Sequence, residues 1–284
     1  MSIADVFFAL GRTHSVCQDY GVAESPDPTD PDGRSKVIVC DGCSSSPDTD
    51  TGARLLARAA LSAGPFDVNK TVIRAKGFAE ALDIPLTALD ATLILLRETE
   101  TKDAEVIMYG DGVVVGRRRD GSGYDYWVVT YSHNAPGYLS YLTSPSRMAE
   151  YMKAGGLRRV SGVSTAPECD WTLVPPLGLA EAPADPSIPI IFGFPRDIYD
   201  IVVVLSDGAE SFQQRGGNQF FPVSVRDVLD QILDFKVLTP GFVRRRLGKF
   251  LRVFCEANGW LHTDDLCVGA IILDPPGSNP ITKA

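Results

Sequence analysis

A short apolar, β-branched run that stops on an aspartate and a glycine occurs three times in this chain: VIVCDG (37–42), VIMYGDG (106–112) and VVVLSDG (202–208). A fourth acidic pair, Asp264-Asp265, stands directly before another apolar run, LCVGAIIL (266–273). Runs of this kind read as buried strands. Carboxylates are rarely buried unless paired or metal-bound, so the acids at these strand ends constrain how the strands can assemble. A strand end is a rigid mount, and the following glycine lets a ligand or metal approach the backbone closely. Asp-Gly is also a favoured hairpin turn. That reading suits Asp111, which has glycine on both sides. It suits Asp41 and Asp207 less, because each is followed by a loop and then a helix. With Asp19, Asp264 and Asp265, these strand-end acids would form a hard-cation site if they converge. Carboxylate oxygens and water suit Mg²⁺ or Mn²⁺. Two such ions can activate a water toward a phosphorus.

Other strands are read at 5–11, 20–23, 91–97, 105–109, 113–118, 124–131, 198–206 and 266–273, with 110–112 as a tight hairpin between two of them. Leu55, Leu56, Ala59, Ala60 and Ala63 recur at helical spacing, with Asp50 and Thr51 as N-caps and Gly64-Pro65 as the stop. A second helix is expected within 70–82. A later helix is capped by Ser224 and carries Val225, Val228, Leu229, Ile232 and Leu233 on one face. Another spans 242–258. Residues 24–35 are a Pro/Asp/Gly loop. Residues 133–195, with one short helix at 146–153, read as an insertion or flap with little structure inside a single domain of 1–284. Hairpin-paired strands and two separate helical blocks predict an α+β fold, with antiparallel sheets covered by helices.

Acidic residues outnumber basic ones, 36 to 27, for a net charge of −9, which disfavours nucleic acid as a partner. Two basic clusters, 117–119 and 244–246, read first as solvated faces and second as docking sites for an acidic or phosphorylated partner. No apolar run approaches the ~18–20 residues of a membrane span. The opening MSIADVFFALGRTH lacks the basic start of a signal peptide, so the expected location is cytoplasmic. Cys40 and Cys43 form a CxxC, but Asp41 and Gly42 lie between them and no second pair completes a zinc site. Neither a GxSxG elbow nor a Cys/His motif points to a Ser or Cys nucleophile.

GRTHSVCQD (11–19), VIVCDG, ALDATLILL (88–96), VIMYGDG, VVVLSDG and DDLCVGAIIL (264–273), in this order, resemble the metal-dependent protein phosphatases of type 2C. The resemblance is to a divergent bacterial branch with Gln-Asp in place of Glu-Asp, and it spans 11–273. It implies a four-layer α-β-β-α sandwich and a cytoplasmic phosphatase for phosphoserine or phosphothreonine. Hydrolysis would use a water activated by two Mg²⁺ or Mn²⁺ ions. The implied partner is a phosphorylated protein, a Ser/Thr kinase or its target. By position, Asp41 would bridge two ions and the Gly42 carbonyl would bind one. Asp207 and Asp264 would complete the first ion's shell, and Asp19 would hold metal-bound water. Asp111 with Asp207 would serve a third ion, and Thr92 would be structural. His14, with Arg12 nearby, would fill the place of the phosphate-gripping arginine. The variable flap would lie within 133–195.

Cys43 stands where many members have a proton-donating histidine, and a thiol is a poor acid for an alkoxide. His14 cannot give the bidentate grip of a guanidinium. Glu210 and Ser211 occupy the region of an aspartate that serves the third ion. These departures motivate a second reading, a pseudophosphatase that binds phosphoproteins or another partner. A third is an unrelated α/β hydrolytic enzyme whose Asp-Gly turns mimic the pattern.

Overall fold

Alternation along the strands sorts side chains onto two faces, and that sorting builds the layers. The computed structural model describes residues 2–27, 29, 33–62, 66–166 and 178–274. The Gly64-Pro65 stop, part of the 24–35 loop, Cys169 and part of 133–195 lie outside the described residues. The first half of the chain forms β1 (Ile3–Ala9), β2 (Tyr20–Glu24), β3 (Lys36–Cys40), α1 (Thr49–Leu61), α2 (Val68–Ala81), β4 (Leu93–Glu98), β5 (Ala104–Tyr109), β6 (Gly112–Arg118) and β7 (Tyr124–Tyr131). Then follow α3 (Pro145–Ala154), β8 (Leu157–Ser164), β9 (Gly178–Pro183), β10 (Ile190–Phe194) and β11 (Tyr199–Leu205). The last part holds β12 (Phe212–Gly216), β13 (Gln219–Pro222), α4 (Val225–Ile232), α5 (Phe242–Lys249), β14 (Trp260–His262) and β15 (Leu266–Ile272).

The described strands pair antiparallel into a seven-stranded sheet, β1-β15-β11-β6-β7-β8-β9, a five-stranded sheet, β10-β5-β4-β3-β2, and a small sheet, β13-β12-β14. Val37, Val39, Ile94 and Leu96 of the five-stranded sheet meet Val114, Trp127, Val202 and Val204 of the seven-stranded sheet between the two. The alternate residues Ile38, Cys40, Leu93 and Leu95 face α1 and α2. Val113, Val115, Val203 and Val268 face α4 and α5 through Val228, Leu229, Phe242 and Leu247. This is the expected four-layer α-β-β-α order. Ser224 caps α4, accepting from Asp227 N at 3.1 Å.

Several local expectations are corrected. Residues 110–112 are not a hairpin: β5 and β6 lie in different sheets, and Gly110 (φ 99) and Gly112 (φ 133) carry the chain across. The segment after Asp207 is a 3₁₀ turn (Asp207–Glu210) and the β12–β13 hairpin, not a loop. The stretch 133–195 supplies β8, β9 and β10, all toward sheet edges, where exposed alternate positions blur the apolar pattern. The N-cap of α1 is Asp48, in the left-handed region (φ 54), so Asp50 and Thr51 fall inside the helix. After α5 the helix continues through a π-helical segment (Phe250–Cys255) to Glu256–Asn258.

Gly77 in α2 offers a test of the packing. A Cβ there would meet nothing within 4 Å. Gly77→Ala should therefore stabilise the protein by about 0.5–1 kcal/mol, seen as a higher urea midpoint at unchanged slope.

Candidate functional site

The ends of β3 and β11, the start of β15, the loop before β2 and the β5–β6 crossover meet at one end of the two sheets. Tyr20 pairs with Cys40, and Gly42 N donates to Gln18 O at 3.2 Å, so the ladder continues and sets Asp19 beside Asp41. Leu205 pairs with Val113 and Val268, which carries Asp207 toward Asp111 and the start of β15. Thr92 grips the Asp41 backbone twice: Asp41 N donates to Thr92 Oγ1 at 3.0 Å, and Thr92 N donates to Asp41 O at 2.8 Å. The Asp41 carboxyl lies within hydrogen-bonding reach of the carboxyls of Asp207 and Asp19. Ser206 ties the sheets together here, donating its hydroxyl to Asp19 Oδ2 at 2.6 Å and accepting from Cys267 N at 2.9 Å.

Asp19 is 1% exposed and Asp111 6%. Asp41 and Asp207 are enclosed on most sides but still touched by solvent. Burial pushes the Asp19 carboxyl well above the usual range, and the charges of Asp207 and Asp265 add to it against the Ser206 hydrogen bond. Burial, then Asp19 and Asp207, push Asp41 up in the same way. Asp207 is raised by burial and by Asp264. Asp111 is pushed up to about 7 by burial, then by Asp207. A carboxyl whose folded pKa exceeds its unfolded value stabilises the fold fully below the unfolded pKa and loses that contribution as pH rises through the folded one. The metal-free protein should therefore lose thermal stability as pH rises from about 4 through about 7, the window Asp111 sets. Added Mn²⁺ should restore it most at the upper end, in a thermal melt read with and without the ion.

Asp264 and Asp265 divide the work of the acidic pair. Asp265 is 2% exposed and accepts from Gly11 N and Gln18 N, each at 2.6 Å, so it clamps the loop before β2. Asp264 sits at the rim, its side chain 43% exposed, with Oδ1 accepting from Asp265 N at 2.8 Å. His14 lies between them, Nδ1 3.0 Å from Asp265 Oδ2 and Nε2 3.5 Å from Asp264 Oδ1. Asp265 raises the His14 pKa, with burial opposing. Arg12 donates its backbone N–H to His262 O at 3.1 Å, but its guanidinium is exposed and joins no ion pair among the described residues. The imidazole of His262 packs tilted against Phe212, ring centres 5.4 Å apart. Cys43 Sγ lies 3.0 Å from Ser45 Oγ and within hydrogen-bonding reach of the buried Tyr138. Burial raises its pKa, but hydrogen bonds from Ser45, Tyr138 and Ser46 outweigh it and lower the thiol overall.

The sequence reading missed Ser206, the clamping role of Asp265 and the place of Tyr138. Serine directly before an Asp-Gly strand end was an available signal for the first. Tyr138 carried none, because only tertiary packing brings it to Cys43.

As the side chains stand, no three acidic, His or Cys groups among the described residues enclose one ion position. Asp41 and Asp207 instead lie within hydrogen-bonding reach of each other, and each is raised above the usual carboxylate range by burial first. The donor set nevertheless fits a hard cation. Among the described residues no Lys or Arg pairs with Asp19, Asp41, Asp111 or Asp207, and Asp19 Oδ1 is buried without an N–H or hydroxyl partner. Oxygen donors crowded together, their pKa values raised by burial and mutual repulsion, are what Mg²⁺ or Mn²⁺ would relieve.

No protein-family model matches the chain, and no curated protein does. Solved structures do. An arginine-to-lysine variant of a bacterial serine phosphatase superposes with a TM-score of 0.50 at 9% identity, over 96% of this chain and 98% of that one. The serine/threonine phosphatase Stp1 from Staphylococcus aureus gives 0.47 at 9% identity, over 96% of each chain. The serine/threonine phosphatase PstP/Ppp of Mycobacterium tuberculosis gives 0.47 at 12% identity, over 96% of this chain and 99% of that one. At such identities the first likeness shows the fold, and it is the one the sequence motifs imply.

Proposed function

We propose that this chain is a Mg²⁺- or Mn²⁺-dependent phosphatase acting on phosphoserine or phosphothreonine in proteins. The observation that carries the reading is the meeting of Asp19, Asp41, Asp111 and Asp207 from both sheets with no basic side chain paired to them. The serine phosphatase with the same fold agrees with it. Asp41, the Gly42 carbonyl, Asp207 and Asp264 would hold two ions, and Asp111 with Asp207 would hold a third. Bound there, the ions would lower the pKa of a water and screen the phosphate oxygens. Thr92 fixes the Asp41 backbone, and Ser206 fixes the Asp19 carboxyl so that Asp19 can orient the attacking water. His14, charged more readily beside Asp265, and Arg12 would draw the phosphate to the rim. The partner is a phosphorylated protein, a Ser/Thr kinase or its target, in the cytoplasm. No helix of the described residues is long and apolar enough to cross a membrane.

Cys43 favours a second reading, a pseudophosphatase that binds phosphoproteins without turning them over. Phosphate release from a phosphoserine peptide separates the two. The enzyme reading expects release with Mn²⁺, loss on chelation and recovery on re-addition. A folded, Mn²⁺-loaded protein that releases nothing would leave only the binding module.

A further inference from the structure

The two basic clusters of the chain meet different fates. Arg117 pairs with Asp200 through two bonds, at 2.9 and 2.5 Å. Arg118 pairs with Asp125 at 2.9 Å, and Arg119 with Asp274 at 2.6 Å. Internal carboxylates thus take up the first cluster. The second lies on α5 and its π-helical continuation, where residues 244–252 hold five cations and no acid in a chain of net charge −9. Arg244, Arg245, Lys249 and Arg252 are exposed, and among the described residues none has a carboxylate at ion-pair distance. Arg245 is turned onto the carbonyls of Val237, Thr239 and Pro240, and Arg252 Nε onto Gly248 O at 3.1 Å. Carbonyls anchor these guanidinium groups without neutralising them. The inner face of the same helix, Phe242, Val243, Leu247 and Phe250, is buried on the seven-stranded sheet. Asp5 Oδ2 accepts from Val243 N at 2.7 Å and Arg244 N at 3.3 Å, which fixes the helix start.

We propose that this outer face of 242–258 is a docking surface for an acidic polypeptide segment of a partner protein. Its charge, five cations against the single acid Glu256 near the helix end, is the reverse of the chain's own, and exposed cations without a carboxylate partner on a rigid helix are complementary to Asp and Glu. A helix lying on a bilayer would turn Trp, Phe or Leu outward. Here Phe250 is buried and Phe254 packs on Trp260 with ring centres 5.1 Å apart, leaving Val253 and, nearby, Val237 as the exposed large apolar residues. The helical run is about 25 Å long at 1.5 Å per residue, enough for an acidic helix or extended segment. It ends at Gly259, from which β14 leads along the chain to Asp264, so the helix is joined directly to one acid of the candidate site. The docking proposal stands whether or not that site hydrolyses phosphate.

Fluorescence anisotropy of a labelled poly-glutamate peptide, titrated with the full chain, tests it. Saturable binding that weakens with salt is expected. The triple variant Arg244→Glu, Lys249→Glu, Arg252→Glu should bind at least about tenfold more weakly. The triple Lys70→Glu, Lys76→Glu, Lys153→Glu makes the same change in net charge elsewhere and should stay within about twofold. Circular dichroism confirms that both variants are folded. The proposal is overturned if the wild type shows no saturable binding at low salt, or if the two triples weaken binding equally. It is equally overturned if the helix triple abolishes binding to phosphatidylserine vesicles while peptide binding is unchanged.

Discussion

Asp41→Asn is expected to lower Mn²⁺-dependent phosphoester hydrolysis by about a thousandfold or more. The effect of bound ions on a water and a phosphate is worth several kcal/mol, and each 1.4 kcal/mol is tenfold in rate. Asp41 is the acid within reach of both Asp207 and Asp19, so its loss removes the oxygen donor common to the cluster. The same substitution should act in the opposite direction on the metal-free fold. Burial and the charges of Asp19 and Asp207 hold Asp41 above its ordinary pKa, so an amide there removes repulsion near neutral pH. Metal-free Asp41→Asn should melt higher than metal-free wild type and gain less on adding Mn²⁺. A mutant that is inactive merely because it is misfolded would melt lower.

The second large effect is structural. A Cβ on Gly208 would lie 1.7 Å from Asp265 O, 2.7 Å from Asp265 C and 3.1 Å from the Leu266 Cα. All three are backbone atoms and cannot rotate away. Gly208→Ala must therefore part the end of β11 from the start of β15, straining the Ser206–Cys267 bond and the seat of Asp265 as it does so. Overpacking in a tight site costs about 1–3 kcal/mol and occasionally more, and a purely backbone clash belongs at the upper end, about 3 kcal/mol or above. Urea unfolding should show a markedly lower midpoint, against the rise expected for Gly77→Ala. A Gly208→Ala midpoint equal to wild type would contradict the close approach of the two strands.

Most of the core was legible because its strands are buried on both faces. Lys36–Cys40 and Tyr124–Tyr131 end where their apolar runs end. The four-layer order came only from the family resemblance, because Val37, Ile38, Val39 and Cys40 are all apolar and only the structure shows them facing the second sheet and the helices in turn. The crossover at Asp111 was not legible, since Asp-Gly chemistry is local and cannot tell a hairpin from a crossing between sheets. Nor was the division of labour between Asp264 and Asp265, because two adjacent acids differ only in which face of β15 they continue. Asp265 takes the inward face with Cys267, whereas Asp264 stays at the rim. The edge strands β9 and β10, and β8 next to an edge, were not legible because solvent replaces packing on part of the β8 surface.

Calorimetric titration of Mn²⁺ into the metal-free protein addresses the acid cluster directly. Two saturable sites are expected, with protons released on binding, because carboxyls whose pKa burial raises must be ionised to hold the ion. Repeating the titration in buffers of different ionisation enthalpy reads that release, and Asp41→Asn should lose both the sites and the protons. No saturable binding by the wild type, or equal binding by Asp41→Asn, would contradict the assignment of these aspartates to a metal centre.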